Sequence, residues 1–357
     1  MGEQRKIYRG DKRIADRNIF TNRVLEILCF GGGLTKEAVR IMHGNPNAKK
    51  TALSSMRKRN WVKTINGTTI LWYASKHVNE WSARLPEEYG EMGIKENHGR
   101  KKDSASLYRI GEFGKLLAIM QEADIPIVPT KTEEELNQIK YGVVPTKFIK
   151  RFDGYDQKVL RVSKSQGLIK RNQENYLVYT SDKSGIEIES TREYKFMHII
   201  KIITNHYELN VIAYVGDLDN LQSFVNPINK RNTKNIPLVF NEKKEKELLI
   251  LPGTYEGAVL TKIMMQEGIK EKLQEITVGA LKKDSNMPID KIENNTWHVN
   301  FLYPDAGHLQ RAMKYLKHNQ TKKIVVHCFE QYKEGIRNLF PTAEIKAYAI
   351  TDIILKL

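Results

Sequence analysis

The sequence predicts a mixed α+β or α/β chain, in which a winged helix-turn-helix precedes an α/β domain with a mixed sheet. Three observations predict this fold class. Three helical patterns precede a hairpin signal near the amino end, strand and helix patterns alternate from about residue 157, and positive charge is concentrated in the first 80 residues. Strands that alternate with helices along a chain are typical of a sheet covered by helices.

The first three helical segments are predicted at residues 15–30, from Thr35 to Gly44, and at residues 45–60. The first has one apolar face at helical spacing, formed by Phe20, Val24, Ile27 and Leu28. Thr35 is a favourable N-cap for the second. The third begins with Asn45-Pro46, a capping residue followed by proline at the first helical position.

The third segment has two contrasting faces when it is wound at about 100° per residue. Ala52, Leu53 and Met56 form a narrow apolar stripe. The opposite face carries the side chains of a DNA-recognition helix, since Asn, Lys and Arg contact base edges and Ser, Thr and Lys bind phosphates. The DNA-binding residues predicted on this helix are Asn47, Lys50, Thr51, Ser54, Arg57 and Lys58.

A hairpin is predicted directly after the third helix. Residues 61–65 and 68–73 are rich in β-branched and aromatic side chains, and Asn66-Gly67 between them is a strong signal for a two-residue turn. Three helices followed by a two-stranded wing are the winged-helix layout, so Lys63 and Thr68 join the predicted DNA contacts. A module of this kind can also bind protein, and the sequence neither requires nor excludes a homodimer.

The charge distribution points to a polyanionic partner. The chain of 357 residues has a net charge of +16, and residues 1–80 hold 16 Lys and Arg against 6 Asp and Glu, a net of +10. We therefore predict double-stranded DNA as the partner. The basic residues of the amino-terminal tail fit a phosphate-tracking arm and an unstructured terminus equally well; they are Arg5, Lys6, Arg9, Lys12 and Arg13.

Several classes of protein are excluded by composition. No run approaches the ~20 apolar residues of a membrane span, and the amino terminus lacks a signal-peptide apolar region. Cys29 and Cys328 are too few for a disulfide framework or a cysteine-rich zinc site. The expectation is a cytoplasmic protein without a membrane partner, a metal or a cofactor.

The predicted winged helix-turn-helix spans residues 1–82, and the remaining chain is predicted to contain a linker at 83–105 and an α/β domain at 106–357. The linker is polar and glycine-bearing. In the domain, residues 106–150 are predicted to be helical and residues 157–357 to form the mixed sheet with its helices. Predicted strands lie at 159–163, 167–170, 176–180, 210–215, 248–251, 297–303, 323–329 and 344–351. Predicted helices lie at 106–123, 133–139, 192–204, 217–224, 255–266, 306–318 and 332–339.

A nuclease site is the strongest catalytic alternative. Asp182 and the Glu193-Tyr194-Lys195 run match the letters of a restriction-type site, in which carboxylates hold magnesium and a lysine steadies the attacking water. Glu193, however, falls at the start of a predicted helix, where an acidic residue is favourable on its own account. We therefore predict no enzymatic activity and keep a metal-dependent nuclease as an alternative.

Two stretches carry a resemblance to a known family. Residues 161–170 followed by 174–180 form a basic and serine-rich segment that leads into a Tyr-x-Val-Tyr strand, and residues 323–330 read Lys-Ile-Val-Val-His-Cys-Phe-Glu. With the amino-terminal module, they resemble the replication-relaxation family of plasmids and integrative elements. The resemblance implies an accessory DNA-binding protein in plasmid replication or conjugative transfer that recruits a relaxase or replication initiator. The alternative is a transcriptional regulator whose α/β domain senses a ligand.

Overall fold

The computed structural model describes residues 17–30, 33–65, 71–74, 104–183, 185–226, 236–279, 288–317 and 322–357. The chain is a mixed α+β protein that divides into two compact units, Met1–Pro129 and Thr130–Leu357. Among the described helices, none has the length and apolar character that a membrane crossing requires.

Unit 1 begins with three helices: α1 (17–29), α2 (Lys36–Ile41) and α3 (Pro46–Lys58). The predicted apolar residues of α1 are all buried. The Thr35 hydroxyl oxygen accepts the amide of Ala38 at 3.1 Å, and the Asn45 side chain accepts the amide of Asn47 at 2.9 Å. Both predicted N-caps are confirmed, because each satisfies an amide that the first turn leaves without an intrahelical partner.

A two-stranded antiparallel hairpin follows, formed by β1 (Val62–Ile65) and β2 (Leu71–Ala74). Ile65 lies opposite Leu71 in the register of the two strands. The predicted Asn66-Gly67 turn and the predicted start of the second strand at residue 68 fall on residues 66–70, which lie outside the described residues.

Helix α4 (Ser104–Glu122) belongs to unit 1. The amide of Gly33 donates to the carbonyl of Ile110 at 3.0 Å. A Cβ at Gly114 would lie 1.9 Å from the carbonyl oxygen of Gly33, so only glycine allows the two backbones to approach this closely. Of the segment 106–150 that was predicted as the helical start of the larger domain, residues 106–129 belong to unit 1, and residues 130–150 belong to unit 2 and include a strand, Tyr141–Pro145. Helical periodicity shows that a helix packs, but not on which core.

Unit 2 contains a five-stranded sheet in the order β3-β4-β5-β7-β9. Strands β3, β4 and β5 form an antiparallel meander, and β5, β7 and β9 are parallel. Strands β6 and β8 form a separate antiparallel pair. The strands are β3 (Tyr141–Pro145), β4 (Gly167–Arg171), β5 (Glu174–Ser181), β6 (Glu187–Ile188), β7 (Asn210–Val215), β8 (Ile236–Pro237) and β9 (Leu248–Pro252).

Helices cover both faces of this sheet. Tyr179 lies opposite Ala213 in the register of β5 and β7, so Tyr179 and Tyr214 point to opposite faces. The Tyr179 hydroxyl meets Glu193 of α8, and the Tyr214 hydroxyl meets Thr261 of α10. The helices between residues 130 and 278 are α5 (Glu133–Gln138), α6 (Thr146–Ile149), α7 (Gln157–Val162), α8 (Ser190–Ile203), α9 (Gln222–Val225), α10 (Tyr255–Met264) and α11 (Ile269–Val278).

A second sheet has the order β10-β11-β12-β13, in which β11, β12 and β13 are parallel. Its strands are β10 (Lys291–Glu293), β11 (Thr296–Asn300), β12 (Lys323–Phe329) and β13 (Glu344–Tyr348). Helix α12 (Ala306–Lys317) connects β11 to β12, and α13 (Lys333–Leu339) connects β12 to β13. Helix α14 (Ile350–Ile354) follows β13.

Asp305 connects the two sheets. Its carboxylate accepts the amide of Gly307 at the start of α12 and the amide of Leu248 in β9, at 2.9 and 3.2 Å. Asp305 is 1% exposed, and burial raises its pKa. One carboxylate therefore caps a helix and fixes the edge of a sheet.

Most predicted elements of unit 2 are confirmed, with four corrections. Residues 159–163 lie in helix α7, which the Asp156 side chain caps at the amide of Lys158, and the third strand of the meander is β3. The helix predicted at 217–224 is reduced to α9. The strands predicted at 297–303 and 344–351 end at Asn300 and Tyr348. A short β-branched run fits either a helix or a strand, so tertiary pairing decides between them.

Candidate nucleic-acid interface

Helix α3 presents the predicted polar face to solvent. The narrow stripe of Ala52, Leu53 and Met56 is buried against unit 1. All six predicted side chains on the opposite side are exposed, namely Asn47, Lys50, Thr51, Ser54, Arg57 and Lys58. The winding of the helix therefore brings these six side chains together on one surface, which we call the α3 face.

The α3 face carries three positive charges, from Lys50, Arg57 and Lys58, and no negative charge. Residues 45–60 contain no Asp or Glu. Arg57 and Lys58 lie in the last turn, where cations also offset the negative end of the helix dipole. Lys50 lies nearly two turns earlier, where no such local explanation applies. A helix surface without a single carboxylate attracts phosphates from several directions.

One member of the α3 face has a local partner. The Thr51 hydroxyl donates to the carbonyl oxygen of Asn47 at 2.8 Å. Its hydrogen is therefore engaged, and the oxygen remains an acceptor. A phosphate offers only acceptors, so Thr51 is better suited to receive a hydrogen bond from a base amino group than to bind the backbone.

Lys49, one residue from Lys50, has a different role. It is 9% exposed, and its ammonium group donates to the carbonyl oxygens of Val39 and Met42 at 3.0 and 2.5 Å. These carbonyls lie at the carboxyl end of α2, where helix carbonyls lack intrahelical partners. Burial lowers the pKa of Lys49, and Glu122 opposes that shift. Lys49 thus fixes α3 against the end of α2.

Glu122 at the end of α4 ties the same turn to two further helices. One oxygen accepts both the Arg23 guanidinium of α1 at 2.5 Å and the amide of His43 at 2.8 Å. His43 lies in the turn between α2 and α3. Sequence reasoning missed Lys49 and Glu122, because a lysine beside a polar face and an acid at a helix end resemble ordinary surface residues.

The corner between α3 and the hairpin is also fixed. Asn60 has a φ of 55°, and the amide of Trp61 donates to the carbonyl oxygen of Met56 at 2.9 Å. The Arg59 guanidinium lies 5.0 Å from the centre of the Trp61 ring. Arg59 is exposed and extends the basic surface beyond the six predicted residues.

The other predicted DNA contacts belong to the hairpin and to the amino-terminal tail. Lys63 lies in β1 opposite Tyr73, so the backbone places it on the hairpin. Thr68 lies outside the described residues. The five basic residues of the amino-terminal tail also lie outside them.

The residues of the nuclease alternative do not form an open acidic site. Glu193 lies in the first turn of α8 and is 1% exposed. It accepts the hydroxyls of Ser163 and Tyr179 at 2.6 Å each, and the amide of Lys164 at 3.0 Å. Asp182 and Lys195 are exposed. The described residues contain no group of three or more His, Cys, Asp or Glu side chains placed to hold a metal.

Known proteins offer no relative whose function could guide the interpretation of this surface. No family model matches the chain, and no curated protein or solved structure is significantly similar to it. The α3 face is therefore interpreted from its charge, its exposure and its support within unit 1.

Proposed function

We propose that unit 1 is a winged helix-turn-helix that binds duplex DNA and places α3 in the major groove. The observation that carries the proposal is the α3 face, on which six exposed polar side chains share one side of a helix that lacks any carboxylate. An α-helix fits a major groove that is about 12 Å wide. The 13 residues of α3 span about 20 Å, enough to cross the groove.

The residues of the α3 face divide by position. Asn47, Lys50, Thr51 and Ser54 belong to the amino-terminal and central part, which reads base edges in helix-turn-helix proteins. Arg57 and Lys58, with Arg59, bind phosphates beside the groove. The β1–β2 hairpin is the wing that contacts the neighbouring backbone. In this assignment, discrimination between sequences comes from the first group and salt-dependent affinity from the second.

The biological setting follows the family resemblance. The chain then acts as an accessory protein of a mobile element that recognises an origin or a transfer site. Unit 2 recruits a relaxase or replication initiator, and the protein performs no catalysis of its own.

The test is DNA binding by the full chain with the charge of α3 reversed. Genomic DNA fragments are captured by the wild-type protein, and a captured duplex is titrated by fluorescence anisotropy at physiological salt. The double variant Lys50→Glu and Lys58→Glu should bind at least about 100-fold more weakly, since phosphate contacts and base contacts are both lost. Lys195→Glu reverses an exposed charge on α8 and should leave affinity unchanged. Equal affinity of the double variant and the wild type would refute the proposal.

A further inference from the structure

A cleft lies at the carboxyl ends of parallel strands β12 and β13, in unit 2. Its volume is about 580 Å³, within the range of small-molecule sites. Its walls are Glu330, Lys333, Ile345, Lys346, Ala347 and Tyr348. Glu330 follows β12 directly and Tyr348 is the last residue of β13.

The side chains of Lys333 and Lys346 form no ion pair or hydrogen bond within the described part of the chain. At the opposite end of the same strands, Lys323 and Glu344 form an ion pair at 3.1 Å. Glu344 also interacts electrostatically with Lys346. Among the six residues that line the cleft, Glu330 carries one negative charge and the two lysines carry two positive charges.

A chain of three side chains ends in this cleft. His298 Nδ1 lies 3.0 Å from His327 Nε2, and His327 Nδ1 lies 2.9 Å from the Tyr348 hydroxyl. The rings of His327 and Tyr348 are stacked with centres 5.9 Å apart. His327 is 2% exposed, whereas His298 is half-buried. The chain thus runs from a half-buried imidazole, through a buried imidazole, to the hydroxyl of Tyr348, a residue that lines the cleft.

The direction of these hydrogen bonds determines what the cleft offers. Burial lowers the pKa of His298 and lowers that of His327 to about 4, so both rings are neutral at pH 7. A neutral imidazole has one N–H and one acceptor nitrogen. When His298 donates to His327, His327 donates to the Tyr348 oxygen, and the Tyr348 O–H is free to donate into the cleft. Each bond polarises the next, which strengthens the final donor.

We propose that this cleft binds a small phosphate-bearing molecule, with Lys346 opposite its charge and the Tyr348 hydroxyl donating to one phosphate oxygen. Lys346 and Tyr348 are two residues apart in β13, so their side chains lie on the same face of the strand. An ammonium group and a hydroxyl donor together match the acceptor oxygens of a phosphate. The inference does not depend on DNA binding by α3, because every residue in it belongs to unit 2.

The test follows the histidine rings by NMR in the full chain, with histidine-selective isotope labelling. Inorganic phosphate is added at constant ionic strength and pH 7, with chloride as the balancing anion. The resonances of His327 should shift to saturation, because its ring contacts the ligand-binding hydroxyl. Lys346→Met should weaken the apparent affinity at least roughly tenfold, as expected for loss of a charged hydrogen bond. Tyr348→Phe should abolish the His327 shift even where some binding remains.

The controls separate a built site from general attraction. Lys195→Met removes an exposed lysine from α8 and should leave phosphate affinity unchanged. An equal loss in that variant, or unmoved His327 resonances in the wild type, would overturn the proposal. Duplex DNA is a further arm: if it shifts His327 and inorganic phosphate does not, the cleft is part of a polyanion surface and the small-ligand assignment is wrong. Lys346 is exposed, so its variant tests the proposal even if Tyr348→Phe does not fold.

Discussion

Replacement of Lys49 by methionine should loosen the support of α3 without removing charge from the α3 face. Methionine retains an unbranched apolar stem that fills the same space. The change removes two hydrogen bonds to the carbonyl oxygens of Val39 and Met42. A hydrogen bond that involves a charged group contributes about 1.5–3 kcal/mol. Part of this loss of stability is offset, because the variant no longer has to desolvate a buried ammonium group on folding.

The expected net loss is therefore about 2 kcal/mol, confined at first to α2 and α3. That value corresponds to roughly 30-fold faster amide exchange in residues 36–58 if exchange proceeds through local opening. Hydrogen exchange measured by mass spectrometry on the full chain locates the effect and avoids a two-state assumption for a chain with two units.

Lys50→Met is the matched control, since Lys50 is the next residue and is exposed. It should leave exchange in residues 36–58 unchanged and weaken DNA binding directly. Lys49→Met should accelerate exchange and weaken binding only through the altered position of α3. Unchanged protection in Lys49→Met would show that water satisfies the two carbonyl oxygens equally well. That result would refute the role of Lys49 in fixing α3.

Three further outcomes are expected. Lys58→Met should reduce the slope of log affinity against log salt concentration by about 0.9, and a slope equal to that of the wild type would remove Lys58 from the phosphate contacts. Gly114→Ala should destabilise unit 1 by more than about 2 kcal/mol in chemical denaturation, because its Cβ would overlap the Gly33 carbonyl oxygen; a neutral result would disprove that close approach. Burial lowers the pKa of His327 to about 4 and raises that of Glu245 to about 7. On acidification from pH 7 to 4.5, the histidine should lower the free energy of unfolding of unit 2 by up to about 3 kcal/mol. Glu245 should raise that free energy by a similar amount. The Glu245→Gln variant should therefore have a lower melting temperature at pH 5 than at pH 7. The His327→Gln variant should have a higher melting temperature at pH 5 than at pH 7. Differences of the opposite sign in the two variants would contradict both assignments.

The sign of each pH effect follows from proton binding. In the unfolded chain the histidine binds a proton below pH 6.5, whereas folded His327 binds one only below about pH 4. Protonation between these two pH values therefore favours the unfolded state and lowers the stability of unit 2. Folded Glu245 binds a proton below about pH 7, whereas the unfolded side chain does so only near 4.5, so its contribution grows as the pH falls. The two slopes nearly cancel in the wild type.

The sequence by itself determined the local structure that supports the DNA-binding proposal. Asn45 and Thr35 fix helix starts through contacts within three residues, and the period of 3.6 residues separates Met56 from Lys50 on α3. These features depend on neighbours in the chain, which a sequence displays directly. Most strands and helices of unit 2 were also predicted, because buried strands such as β7 are continuous apolar runs.

Only the tertiary structure decided features that depend on residues far apart in the chain. Lys49 differs from Lys50 because two carbonyls of α2 lie within reach of its ammonium group, and Glu122 matters because α4 returns to the turn at His43. The Tyr348 hydroxyl acquires its partner from β12, 21 residues away. A buried polar group is defined by the partner that satisfies it. That partner can come from any part of the chain, so the composition of a segment does not identify it.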